Sequence, residues 1–342
     1  MEINNGAMIQ WKDALLRPVE DGTPGLSIPE VFPSMFSPDG RHLIAEIVPI
    51  YEGQVGGLVI WCQEDESGSY ATIKSKTSIL AYALSNTMPE LVAYFSDDRL
   101  VKYNLTNSYR SINEEILTPG RLPTPFDRNQ MVFSTNANLL MLSTEHGMIT
   151  VLDGDKGYTL VTSFQTGGNR AKLLAFGMNN TIIAKAMHQP EVELWDVHTG
   201  ALKDKLVVKG HFEIKRCLQF SPNGEYLVAI VKSTRVNTNN IKRSGLWHYH
   251  LPTGRSYVMM VYGQATGAGC NDITSWCLGA DVLYEYTMEN NSVKEITRFP
   301  STVDMVLSSD KSTLCYRLED WEVRVARTVD IALPKENVQN NV

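Results

Sequence analysis

No apolar run in this sequence approaches the roughly 18 residues that a membrane-spanning helix needs. Its opening, MEINNGAMIQWKDALL, also lacks a basic stretch followed by a long apolar one. These absences predict a soluble chain of the cytoplasm or nucleus, with no signal peptide, no transmembrane segment and no membrane partner. Cysteine is scarce and odd in number: Cys62, Cys217, Cys270, Cys277 and Cys315. Most lie inside apolar segments, which suits reduced thiols better than a disulfide framework. The interval CNDITSWC is too wide for a zinc knuckle. Basic charge is not in excess either, since the net charge is -7, and this disfavours a nucleic-acid binder held by phosphate contacts. The motifs G-x-x-x-x-G-K-[ST], G-x-S-x-G, H-E-x-x-H and C-x-x-C are absent.

What is present is a pattern of apolar runs four to eight residues long, with turn residues at nearly every junction, which disfavours amphipathic helices and predicts strands. Apolar residues make up 43% and charged residues 20%, so the chain belongs to the globular class. Six segments share one form, an apolar run, a Ser or Gly, a short polar turn and a second apolar run. They are FSPDGRHLI, LSNTMPELV, FSTNANLLM, FGMNNTII, FSPNGEYLV and LSSDKSTLC. Their anchors Ser37, Ser85, Ser134, Gly177, Ser221 and Ser308 lie 48, 49, 43, 44 and 87 residues apart. The last interval is close to twice the others, so a degenerate copy is expected between Ser221 and Ser308, built on DITSWCLG and VLYEYTMENNSVKEITRF, with its fourth strand unassigned.

Each copy is followed by a second hairpin around a Gly, Asn or Asp turn, as in GLVIWCQEDESGSYATI, RLVKYNLTNSYRSI, MITVLDGDKGYTLVTSF, VELWDVHTGALKDKL and GLWHYHLPTGRSYVMMV. A repeat of about four strands every 40 to 50 residues is the sequence signature of a propeller blade. Closure into a ring removes the exposed edges that an open array would leave. The expectation is an all-β, seven-bladed β-propeller of four-stranded antiparallel blades over residues 1–333. Its blades fall near 31–76, 78–117, 130–166, 171–208, 212–262, 270–299 and 302–332, with a tail at 334–342. The last blade offers only VDMVLSS, TLCYRLE and WEVRVART as clear strands. The N-terminal segment 8–17 is predicted to complete it and so fasten the ring.

The stretches LWDVHTG, KGH and FSPNGEYL resemble the signature of WD-repeat proteins, most clearly over residues 192–228. That resemblance implies blades braced by hydrogen bonds among the His of Gly-His, a Ser or Thr, a turn Asp and a strand Trp. Trp61, Trp195 and Trp247 occupy matching positions, yet the residues that follow are Cys62, Asp196 and His248, and Gly210-His211 is the sole Gly-His pair. Apolar packing between blades is therefore expected to dominate, with the polar bracing retained in the one regular copy. The resemblance also implies a rigid platform for protein or peptide binding, and a stand-alone relative of the WD-repeat sensor domain of signalling ATPases is an alternative.

An enzyme or small-molecule binder would need polar groups converging in the central channel. The expected innermost strands SMFS, LAYALS, MVFS, LLAFG, RCLQFS and VDMVLSS supply few. No catalytic residue, metal or cofactor is therefore expected. WHYH puts His248 and His250 on one face of a strand, but no third ligand is evident, and a structural or surface role is preferred.

Connections from second to third strand and from blade to blade should share one face. The long insertions VPIYEGQVGG, NEEILTPGRLPTPFDRNQ, QTGGNRA, VKSTRVNTNNIKRSG and YGQATGAGCND fall there. Loops held on a rigid frame commonly carry the binding residues. Between Lys232 and Gly245 the charged residues are Lys232, Arg235, Lys242 and Arg243, with no acid. Together with Arg121, Phe126, Arg128 and Arg170 on neighbouring insertions, they form the candidate binding set. The matching partner is a protein or peptide that is acidic or phosphorylated, bound by a monomeric propeller.

Overall fold

The computed structural model describes residues 9–10, 30–36, 42–48, 57–62, 70–74, 77–85, 87, 90–105, 113–117, 131–134, 136–144, 146–167, 171–177, 179–187, 189–235, 243–261, 265–270, 273–279, 282–289, 291–298, 302–307, 313–318 and 323–327.

Every regular element among these residues is a strand. The first, β1 (Ile9–Gln10), stands apart from its neighbours in sequence. Blade one then contains β2 (Glu30–Phe36), β3 (His42–Val48), β4 (Gly57–Cys62) and β5 (Tyr70–Lys74), and blade two β6 (Ile79–Leu84), β7 (Glu90–Phe95), β8 (Leu100–Asn104) and β9 (Asn113–Leu117). Blade three is β10 (Met131–Phe133), β11 (Leu139–Ser143), β12 (Met148–Asp153) and β13 (Thr159–Gln165). Blade four is β14 (Leu173–Gly177), β15 (Ile182–Ala186), β16 (Glu191–Asp196) and β17 (Leu202–Val207). Blade five is β18 (Phe212–Phe220), β19 (Tyr226–Ser233), β20 (Ser244–His250) and β21 (Arg255–Val261). Blade six is β22 (Ala265–Cys270), β23 (Thr274–Gly279), β24 (Val282–Thr287) and β25 (Ser292–Arg298). Blade seven joins β26 (Thr302–Leu307), β27 (Thr313–Leu318) and β28 (Val323–Arg327) to β1, with Ile9 opposite Val325 and Gln10 opposite Arg324.

The innermost strands succeed one another around a circuit: β6 lies beside β10, then β14, β18, β22 and β26, and β26 lies beside β2. Blade one meets blade two through Ile44, Leu58 and Ile60 against Tyr82, Leu91 and Tyr103. The chain is thus an all-β propeller whose N-terminal strand completes its last blade. The middle strands are covered on both sides, which explains why they read as unbroken apolar runs rather than as alternation. In β15, Ile183 packs toward blade three, while Ile182, Ala184 and Ala186 pack toward blade five. Each fully buried Leu or Ile contributes about 1.5–3 kcal/mol over its exposed state, and blades two to five each contribute several.

The repeating Ser has a definite job. Ser134 and Ser221 end their inner strands buried, and each hydroxyl accepts the N–H of the residue five positions on, Leu139 at 3.0 Å and Tyr226 at 2.9 Å. The backbone N–H of Ser134 and Ser221 in turn donates to the carbonyls of Leu139 and Tyr226. One residue therefore closes the inner hairpin from both sides. Ser37 and Ser308 lie outside the described residues.

Blade four carries Gly177 at this place because the Phe220 ring of blade five fills the space a Cβ would occupy. Gly177→Ser, which would restore the repeat consensus, is expected to lower stability by about 1–3 kcal/mol through overpacking. Urea denaturation of the variant beside the native protein measures this, and an unchanged midpoint would show that Phe220 moves aside freely.

The structure settles where two of the expected insertions begin and end. Asn113–Leu117, which the sequence assigns both to blade two and to an insertion, is the outer strand of blade two, and Ala265–Cys270, expected in an insertion, is the inner strand of blade six. Blade six therefore has all four strands.

Candidate functional site

Backbone hydrogen bonds identify the face that bears the loops. The N–H of Thr166, at the exit of blade three, donates to Gly147 in that blade's turn between second and third strands. Val208, at the exit of blade four, donates to Pro190 in the equivalent turn, and Thr234 of the β19–β20 loop donates to His211 at the entry of blade five, 2.8 Å away. Turns between second and third strands thus adjoin the blade junctions.

On this rim, β19 and β20 hold the neck of the basic loop. Lys232 is half-buried and lies in register with Glu213 on β18 and Ser244 on β20. The N–H of Ser233 donates to the Arg243 carbonyl at 2.8 Å, and the N–H of Arg235 donates to Ser233 Oγ at 3.2 Å. This small turn lays the exposed Arg235 side chain on His211, with Nη2 2.6 Å from Nε2. Lys209, Arg235 and Arg243 are exposed, and among the described residues none of them, nor Lys232, has a carboxylate within 4.0 Å. Other cations are neutralised: Arg99 by Asp97 at 2.8 Å, Lys203 by Asp196 at 2.8 Å and Lys215 by Glu213 at 2.7 Å. The structure therefore brings Lys232, Arg235 and Arg243 to one loop neck. Arg121, Phe126, Arg128, Arg170 and Lys242 lie outside the described residues.

The polar bracing implied by the WD-repeat resemblance is not what the regular copy contains. His211 turns outward to Arg235, and Trp247 Nε1, buried on β20, has no hydrogen-bond partner among the described residues. Asp196 instead caps its own turn, accepting from the backbone of His198 and Thr199 at 3.1 and 2.8 Å. The Lys203 ammonium and the Thr199 donors hold its carboxyl far below the usual carboxylate range. Gly200 in the HTG turn has a φ of +63°, and an added Cβ would meet the Phe164 side chain at 2.7 Å. The regularity of VELWDVHTG comes from turn chemistry and from the Phe164–Trp195 stack at 5.9 Å between ring centroids.

Blade four does have a polar brace, of a kind the sequence reading missed. Lys185 is fully buried, and its Nζ reaches Thr166 Oγ1 at 2.7 Å, the Thr166 carbonyl at 3.1 Å and Glu193 Oε2 at 3.4 Å. Glu193 also accepts from Trp195 Nε1 at 3.2 Å and faces Lys205 Nζ at 3.3 Å. Lys185, Glu193 and Lys205 are cross-strand partners, forming a row over β15, β16 and β17. Burial pulls the Lys185 ammonium below its ordinary range, and Glu193 opposes that. A lysine inside IIAKA was the visible signal.

His248 and His250 do not act as a pair. His248 is buried, stacks on Tyr286 of blade six at 4.2 Å and meets Ser275 Oγ at 2.5 Å, while His250 sits on Tyr226 and Thr253. Burial pulls His248 down to about 3. Cys277 is buried in the same interface, and burial raises its thiol far above the ordinary range. Among the described residues, no group of three or more His, Cys, Asp or Glu could hold a metal ion, and no helix is long and apolar enough to cross a membrane.

No family model matches the chain, and no curated protein matches it. Solved structures do. A chain of the outer coat vertex of COPII on membranes aligns with a TM-score of 0.68 at 12% identity, covering 87% of this chain and 84% of its own length. A chain of the COPII coat assembled on membranes aligns equally well, also at 12% identity and 87% coverage, though over 47% of its own length. A chain of Kuenenia stuttgartiensis hydrazine synthase aligns at 0.63 and 13% identity, covering 90% of this chain and 98% of its own.

Proposed function

We propose that the protein is a non-catalytic interaction platform of the cytoplasm or nucleus, a monomer that takes up an acidic protein partner on the rim of blade five. The observation that carries this reading is the group of Lys209, Lys232, Arg235 and Arg243, with no carboxylate within 4.0 Å among the described residues, on a chain of net charge -7. A positive patch on a negative molecule selects partners by charge complementarity and speeds encounter. The closed ring fixes both ends of the loop that carries the patch, which lowers the ordering cost of binding. Likeness to chains of a coat and of a synthase alike leaves function to be argued from the loops rather than from the fold.

The test is affinity capture with the native chain beside a variant in which Lys232, Arg235, Lys242 and Arg243 are all Ala, followed by titration of each captured partner at two salt concentrations. The variant is expected to lose at least ~10-fold in affinity for a partner whose native binding weakens with salt, about 1.4 kcal/mol. Unchanged capture of every partner would reject the reading.

A further inference from the structure

We propose that Arg235 and His211 together form a receptor for a phosphorylated serine or threonine, an inference that rests on the platform reading and specifies its partner. Two basic side chains meet here at 2.6 Å with no acid between them. The contact is a hydrogen bond only while His211 Nε2 is neutral and accepts from the guanidinium. One of the five guanidinium donors is then used, and Arg235 is an exposed residue for which no other side-chain partner is found among the described residues.

An anion arriving at this point can accept from the guanidinium edge. The clip favours the anion that supplies more negative charges. A carboxylate supplies one, whereas a phosphomonoester supplies about 1.5 to 2 and three acceptor oxygens. Phosphate geometry also suits the planar fork of arginine.

The surroundings favour the same ligand. Lys209 precedes His211 by two residues, Arg243 is tied to Ser233, and both are exposed without a carboxylate within 4.0 Å among the described residues. Glu213, the nearest acid in register, is occupied by Lys215 at 2.7 Å. The geometry is held by backbone: Thr234 to His211, Ser233 to Arg243 and Arg235 to Ser233 Oγ. The guanidinium is therefore presented from a fixed neck, as a phosphate clip requires.

The experiment uses the full chain against immobilised degenerate peptides with a central phosphoserine or phosphothreonine, and against matched sets with Ser, Thr or Glu at that position. Native protein is expected to favour the phosphorylated sets by at least ~10-fold. Arg235→Ala should abolish that preference and Arg235→Lys should lose most of it, with thermal melts confirming that both remain folded. Lys156→Ala, on another blade, should keep it. Equal retention of Glu and phosphoserine peptides, an intact preference in Arg235→Ala, or stronger binding to phosphatidylserine vesicles or to a single-stranded RNA probe would each overturn the inference. If the preference is absent while the four-residue Ala variant still loses its captured partners, the phosphate is rejected and the platform stands; if capture is also unchanged, both fall.

Discussion

Glu193→Ala is expected to destabilise the protein by about 3–5 kcal/mol, the penalty for leaving one member of a buried ion pair without its counterpart. Lys185 is 0% exposed, and among the described residues its Nζ would retain only Thr166 as a partner. Trp195 Nε1 would lose its acceptor in the same step. The cause is desolvation rather than lost attraction, which yields a second expectation. The double variant Lys185→Met, Glu193→Leu removes both charges and fills similar volumes, so it should recover most of the loss. Chemical denaturation of native, single and double variants gives the comparison. A single variant within ~1 kcal/mol of native would mean that the lysine is buried neutral or finds another acceptor.

Acid should weaken the junction of blades five and six before carboxylates begin to titrate. His248 is held down to about 3 in the folded protein, against about 6.5 for an unperturbed histidine. Below about pH 6.5 the unfolded chain binds a proton that the folded chain refuses, so stability falls as pH drops toward 3. The slope is about 1.4 kcal/mol per pH unit, and above that window the group contributes no pH dependence. The groups facing the ring, Ser275, Tyr286, Tyr257 and Val228, carry no charge that could offset this. The native protein should lose ~2 kcal/mol more than His248→Phe between pH 6.5 and 5. Parallel stability curves for the two proteins would show that the ring takes up its proton without opening the interface.

The sequence made the inner hairpins of blades three and five visible because one polar residue closes each of them. Ser134 and Ser221 are buried where their backbone and hydroxyl both bond across the turn, and such local chemistry leaves a fixed mark in the chain. β22 left no such mark, since ATGAGC has little of the β-branched and aromatic character by which strands are read. Its place is set by neighbours, Ala265 and Cys270 packing with Val228, Leu246 and Met259 of blade five. The Lys185–Glu193 brace was hidden for a related reason. Lysine and glutamate are surface residues by default, and only the assembled ring shows that Thr166 of the preceding blade seals them in. His211 was over-read through the WD-repeat resemblance, and its outward contact with Arg235 was not legible because the two are joined by loop folding rather than by strand register.

The pairing of Ile9 with Val325 and Gln10 with Arg324 gives the molecule a mechanical weak point. Tension applied between Ile9 and Arg327 loads that ladder, and among the described residues it is only two pairs long. A pulling experiment with handles attached just before Ile9 and just after Arg327 should therefore open blade seven first, peeling it away while the loop neck of blade five is still whole.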